Sequence, residues 1–297
     1  MSDWQPDRQL PGFEAKQFAF PADYDGEVVA TLVRLPAGDA PRGAVLYVHG
    51  FIDYFFQRHM AERFAAEGYA FYALDLRKHG RSLLPHQHAC FCKDLREYFA
   101  DLDRALEELG GPVLLAGHST GGLICSLYAA EGARREQVWA LWLNSAFFDW
   151  RAKKPAQRFK LQMAATLGVF WPFLHDPKAV LPQYVRSLHR QWDGEWEFDL
   201  TLKPLMGFPA YAGWVRAIFA AHARVHDGLR LEIPVLSMHS DEADIILDWR
   251  DIAKWSRALG SRVSVLAFPG GLHDLVLSRS EIREEVFGQL FAWAAQG

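Results

Sequence analysis

Apolar and polar positions along the chain fall into a repeating scheme. Phe13 to Phe20 and Val28 to Leu35 are apolar-rich and β-compatible, and the stretch from Pro21 to Gly26 between them has turn composition. This predicts an antiparallel pair at the edge of a sheet. Gly43 to Val48 is a continuous apolar run of the kind buried on both faces of a parallel sheet. Apolar residues then recur at helical spacing from Phe56 to Glu67, Gly68 ends that helix, and Tyr69 to Leu74 is the next strand. From Leu95 to Leu109, one helical face collects Tyr98, Leu102, Ala105, Leu106 and Leu109, and Gly110, Gly111 and Pro112 close it. A strand from Val113 to Ala116, a helix-compatible segment from Leu123 to Ala130 and a strand from Trp139 to Asn144 follow. After a long interruption come a strand from Ile233 to His239, a helix to Leu259, a strand from Val263 to Phe268 and a closing helix from Ser280 to Ala295.

Strands alternating with helices of about a dozen residues imply an α/β fold with a mostly parallel sheet covered on both faces. Ligands of such sheets bind beyond the carboxyl ends of the strands. Between residues 147 and 228 the rhythm breaks: no clear buried strand is present, and Trp, Phe, Pro and Arg are frequent. An unstructured loop of that length does not belong inside a compact domain, so a helical cap over the strand ends is expected. The chain then divides into a first core part at 1–146, the cap insertion at 147–228 and a second core part at 229–297. The cap aromatics Trp150, Phe159, Phe170, Trp171, Phe173, Trp192, Trp196, Phe198, Trp214 and Phe219 have two readings. They pack a small core of the cap's own, or a subset lines an apolar pocket.

Composition narrows the partners. The 297 residues are half apolar and carry a formal net charge of -4, and no Lys/Arg stripe is available to neutralise phosphates, which argues against nucleic acid. No uninterrupted apolar stretch is long enough to span a bilayer, so no stable membrane insertion is expected. The first residues, Met1 to Pro6, lack the basic flank and apolar run of a secretory signal, and a cytoplasmic protein is the expectation. Cys90, Cys92 and Cys125 are too few for a disulfide framework and read as reduced thiols. Cys90 and Cys92 lie near His86 and His88, but not at the spacing of a zinc site, and Cys125 reads as a small core residue.

The chemistry gathers around Gly117, His118, Ser119, Thr120 and Gly121, which join an apolar strand to a helix through a tight turn with a serine at its apex. The turn brings backbone segments too close for side chains at its glycines, and the strain holds the serine hydroxyl out of the sheet. The helix that starts there directs unpaired N–H groups toward an anion formed beside the serine. A serine hydroxyl is a poor nucleophile near neutral pH and requires an imidazole, itself oriented by a carboxylate. Of twelve histidines, His273 is best placed, in a glycine-containing loop after the last strand. His49, His79 and His118 lie on the same edge and read as braces. The carboxylate is expected after the strand ending at His239, where Asp241, Glu242, Asp244 and Asp248 are available.

Four motifs in order, His49 to Phe51, Asp75 to Ser82, Gly117 to Gly122 and Gly271 to Asp274, resemble the α/β-hydrolase superfamily. The resemblance is to its lysophospholipase and monoacylglycerol-lipase-like branch, grouped with serine aminopeptidases, and covers nearly the whole chain outside the cap. It implies Ser119 as nucleophile and His273 as general base and later acid. It implies Asp244, in front of Ile245 and Ile246, as the orienting acid, although Ser240 stands where the family has glycine and the count is one residue long. Asp241 is the alternative. The implied oxyanion hole is the backbone N–H of Phe51 and of Thr120, the latter where the family often has methionine. Lys78 replaces a common glycine. The implied activity is hydrolysis of small-molecule carboxylic esters with apolar acyl or aryl groups, through an acyl-enzyme and without cofactor or metal. An aminopeptidase would need Asp193, Glu195, Glu197 or Asp199 to hold a substrate ammonium, and a non-catalytic binder would keep the pocket alone. Dehalogenase or epoxide-hydrolase chemistry normally uses a carboxylate where Ser119 stands.

Overall fold

The computed structural model describes residues 3–36, 41–152, 154–175 and 182–296. Nine strands form one sheet: β1 (Gln5–Pro6), β2 (Glu14–Asp23), β3 (Gly26–Arg34), β4 (Gly43–Val48), β5 (Tyr69–Asp75), β6 (Val113–His118), β7 (Val138–Asn144), β8 (Val235–His239) and β9 (Val263–Ala267). Their spatial order is β1-β2-β3-β5-β4-β6-β7-β8-β9. The first three strands and the β3–β5 pair are antiparallel, and everything from β5 to β9 is parallel. The expected antiparallel pair is therefore present. Its turn is shorter than its composition indicated: β2 runs through Pro21 to Asp23, with a register shift between Phe20 and Asp23 that absorbs the proline.

Alternation along each parallel strand splits the core into two layers. Leu46, Val48, Leu115, Leu141 and Leu143 face one side, packed on α2 (Phe99–Leu109), α3 (Thr120–Glu131) and α7 (Trp249–Arg257). Val45, Tyr47, Leu114, Ala140 and Trp142 face the other, packed on α1 (Arg58–Ala66) and α8 (Ser280–Ala294). The helix expected from Leu95 begins as a 3-10 turn, Leu95–Tyr98, capped by the Asp94 carboxylate, before α2 takes over.

Between β7 and β8 lie α4 (Pro155–Leu167), α5 (Pro182–Leu188) and α6 (Ala212–His226), while residues 153 and 176–181 of the expected cap lie outside the described residues. The insertion has no separate core among the described residues. Trp214, Val215, Ile218 and Val225 of α6 join the layer of α2 and α3, whereas Val185, Leu188 and Phe198 join the layer of α1 and α8.

Candidate active site

β6 ends at His118, and Ser119 follows with φ 53° and ψ -118°, a left-handed backbone that a serine adopts only under constraint. Packing supplies the constraint. A Cβ on Gly117 would lie 2.6 Å from the Gly121 carbonyl oxygen, and one on Gly121 would lie 2.4 Å from both the Val48 and His49 carbonyl oxygens. Only glycine lets the first turn of α3 settle onto the end of β4. The same approach carries Gly50 to within contact of Ser119, so Phe51 and Thr120 border one cavity on either side of the serine.

The sheet order brings the other residues in. β8 and β9 are neighbours, and the loops leaving them hold Asp244 and His273, both buried. His273 Nδ1 donates to Asp244 Oδ2 at 2.8 Å, and Nε2 lies 3.0 Å from Ser119 Oγ. With its proton fixed on Nδ1 by the carboxylate, the ring presents Nε2 as an acceptor to the serine hydroxyl. Asp244 Oδ1 accepts from the Ile246 and Leu247 N–H groups at 2.7 and 3.0 Å. Burial opposes its ionisation, but the His273 imidazole and these hydrogen bonds outweigh that and hold the carboxyl below the usual carboxylate range. Asp241 is only half-buried and accepts instead from Ala243 and Gly270 N–H, tying the β8 loop to the β9 loop. Ser240, in the family's glycine position, makes a second such tie by donating to the Gly271 carbonyl.

The three bracing histidines each bond to main chain: His49 accepts from Leu76 N–H, His79 donates to the Arg77 carbonyl and His118 to the Asn144 carbonyl. Sequence reasoning missed a second layer of support. Asn144, the last residue of β7, donates to the buried Asp274 carboxylate at 2.7 Å and accepts from Leu275 N–H at 3.1 Å, which pins Asp274 and the residue after it. Its signal was a lone amide ending an otherwise apolar buried strand. Arg151, also missed, donates to the Asp244 carbonyl at 2.7 Å.

The cavity over Ser119 has a volume of about 870 Å³. Phe51, Phe147, Trp150 and Trp214 form an aromatic wall, with the Phe51 and Trp214 rings stacked at 3.9 Å. The lining also has a polar part: Lys203 donates to Asp53 at 2.7 Å, both side chains buried, beside Tyr184. Of the aromatics expected to pack or to line a pocket, Trp150 and Trp214 line it. Trp196 stacks on His59, Phe198 packs on Phe56, and Phe173 stacks on His88. Phe159, Phe170 and Trp171 do neither and are exposed. Among the described residues no cluster of His, Cys, Asp and Glu is arranged to hold a metal, and Cys90, Cys92 and Cys125 are buried free thiols.

A mostly parallel sheet with a serine elbow, a histidine and a carboxylate at its strand ends defines the α/β-hydrolase class. The chain belongs to the family described as serine aminopeptidase, S33, whose model matches residues 39–279. It is similar to a monoacylglycerol lipase of Mycolicibacterium smegmatis, 38% identical over 98 residues, a match spanning 31% of this chain and only 34% of that relative. Its fold is similar to that of a soluble variant of monoglyceride lipase from Saccharomyces cerevisiae solved with a substrate analog, at 19% identity and TM-score 0.75, covering 95% of this chain and 96% of that one. The monoacylglycerol lipase of Paleococcus ferrophilus is similar at 25% identity and TM-score 0.68, covering 88% and 97%. The chain is thus a monoacylglycerol-lipase-like α/β-hydrolase.

Proposed function

We propose that the protein is a serine hydrolase of carboxylic esters with apolar acyl or aryl groups, acting through Ser119, His273 and Asp244. The observation that carries this reading is the continuous hydrogen-bonded path from Asp244 through His273 to Ser119 at the floor of the cavity. His273 Nε2 takes the hydroxyl proton as Ser119 Oγ attacks the ester carbonyl carbon, and the carbonyl electrons move onto oxygen. The N–H groups of Phe51 and Thr120 receive that oxyanion, each worth roughly 3 kcal/mol of barrier. Asp244 stabilises the imidazolium, which returns its proton to the departing alkoxide. Water, deprotonated by the same imidazole, then releases the acid and restores Ser119. No cofactor or metal enters these steps. Residues 147–228 serve as the cap that closes the cavity, and a cytoplasmic location belongs to the same reading.

The peptidase alternative has weaker support. Asp193, Glu195 and Glu197 are exposed, Asp199 is occupied by Thr201 and Gln9, and none of the four borders the cavity. Asp53, the carboxylate that does border it, is neutralised by Lys203. A fluorophosphonate probe tests the proposal: wild type is expected to be labelled and Ser119→Ala not, and nitrophenyl esters of short to medium acyl length are expected to turn over. Absence of labelling in both proteins would favour a non-catalytic binder. Hydrolysis of aminoacyl anilides without ester turnover would favour the peptidase.

A further inference from the structure

The loop between β4 and α1 carries Phe51, whose N–H the hydrolase reading assigns to the oxyanion. Its backbone is strained at the next residue, where Ile52 holds φ 52°, a left-handed conformation costly for a β-branched side chain. Such a conformation persists only where its surroundings impose it. Upstream, His49 accepts from Leu76 N–H and donates to the Gly50 carbonyl, and downstream Phe55 N–H donates to Asp75 at 2.8 Å. Between these anchors the loop is held from the insertion. The Phe51 ring stacks on Trp214, the Asp53 carboxylate accepts from Lys203, and the Tyr54 hydroxyl accepts from Asp199 N–H at 2.7 Å.

Lys203 is presented by a turn that Asp199 builds. The Asp199 carboxylate accepts from the N–H and hydroxyl of Thr201 at 2.8 and 2.7 Å, and its carbonyl accepts from Leu202 and Lys203 N–H. The turn sends the Lys203 ammonium between the Phe56, Tyr184 and Phe198 rings to meet Asp53, each side chain of the pair being 3% exposed. Burial opposes ionisation of Asp53, but Lys203 foremost, with His118 and His49, holds its carboxyl below the usual carboxylate range. At this burial neither charge can be left without the other, so the contact fixes where Asp53 sits. Ile52 is its neighbour, and both border the cavity with Phe51 and Lys203. We propose that Lys203 is a positioning residue: by holding Asp53 it keeps the left-handed turn at Ile52 in place, and with it the Phe51 N–H aimed at the carbonyl oxygen above Ser119. The insertion thereby helps to set the oxyanion hole as well as the cavity wall. This inference rests on the hydrolase reading.

Steady-state kinetics on a nitrophenyl ester, with inhibition by an alkyl trifluoromethyl ketone, test it. The ketone adds the Ser119 oxygen to its carbonyl carbon and leaves a tetrahedral oxyanion, so its inhibition constant reports the oxyanion hole. Lys203→Met is expected to lower kcat by about 30- to 100-fold with KM within about twofold, since displacing a donor by about 1 Å is enough for that. The inhibition constant is expected to rise by a similar factor. The double variant Asp53→Asn, Lys203→Met leaves no unpaired buried charge and is expected to show the same losses, so it decides the matter if the single variant does not fold. Wild-type kcat in either folded variant would overturn the inference. So would a lowered kcat with an unchanged inhibition constant, which would leave Lys203 a role in folding alone. Fluorophosphonate labelling of wild type separates the two proposals: with labelling, these outcomes bear on Lys203 only, and without it the hydrolase reading fails and this inference falls with it.

Discussion

Asp244 and Asp241 stand three positions apart, and their environments assign them different work. Asp244 is buried against His273, while Asp241 is a half-buried staple between two loops. Asp244→Asn is expected to lower kcat for a nitrophenyl ester by about 10⁴-fold through loss of the correct imidazole tautomer. Asp241→Asn is expected to leave kcat within about twofold and to cost about 1 kcal/mol of stability in urea unfolding. Because the folded Asp244 carboxyl titrates below its unfolded value, its ionisation stabilises the protein above the ordinary carboxylate range, and that contribution is lost as pH falls through the lowered pKa. Lys78 shows a different departure from family pattern. It holds φ 62°, in the left-handed region that explains the usual glycine, and its fully buried ammonium lies 2.8 Å from Asp23 and 3.4 Å from Asp25, over the Tyr24 ring. The Asp23 contact is too poorly aligned for a hydrogen bond, so the attraction is Coulombic. Lys78→Met would remove the cation shared by Asp23 and Asp25, leaving Asp25 only its bonds to His88, and is expected to destabilise by about 3 kcal/mol in urea unfolding. The proposed nucleophile and base, Ser119 and His273, were legible because each sits in a short motif next to a strand end. Asp244 was less so, because a loop one residue longer than the family pattern can be threaded in more than one way.

Strand and helix positions followed from periodicity wherever the period was local. The parallel strands and their covering helices lie where alternating apolar runs predict, because burial on two faces and helical amphipathicity are written within a few residues. The insertion was read as a unit over the strand ends, and its helical character holds, but its burial is shared with the two sheet layers. No periodicity distinguishes a helix that packs on a neighbour from one that packs on the main core. The α4–α6 contact illustrates this: a Cβ on Gly168 would lie 2.3 Å from the Ala212 carbonyl oxygen, so the end of α4 rests on the start of α6 at glycine distance. Gly168→Ala is expected to push α4 outward, costing about 1–3 kcal/mol of stability. The shift would raise KM several-fold for long-chain esters, which reach the α4 wall, while acetate esters would be unaffected. Measuring KM against acyl length checks it.

Across the molecule, half-buried and buried histidines set the response to acid. His59, bonded to the Val276 carbonyl, and His222, bonded to the Phe147 carbonyl, are each pushed down to about 4 by burial. In the unfolded chain they titrate near the ordinary value of about 6.5, so between these values the unfolded state binds more protons. Their contribution is therefore present above about pH 6.5 and is lost as pH falls toward 4, about 2 kcal/mol from each between pH 7 and pH 5. Urea midpoints at the two pH values check this, and His222→Gln is expected to remove one share of the difference. What the amino-acid order determined on its own was local: strands and helices in their succession, the glycine-framed turn that strains Ser119, and the loop that presents His273. These depend on neighbours in sequence, so their physics is readable there. What only the tertiary structure decided was long-range. The path of the loop after β8 set Asp244 rather than Asp241 against His273, Asn144 tied β7 to Asp274, and packing turned Trp150 and Trp214 into the cavity while leaving Phe159, Phe170 and Trp171 outside. An aromatic residue has the same hydrophobicity in either place, and only the shape of what surrounds it settles which face it covers.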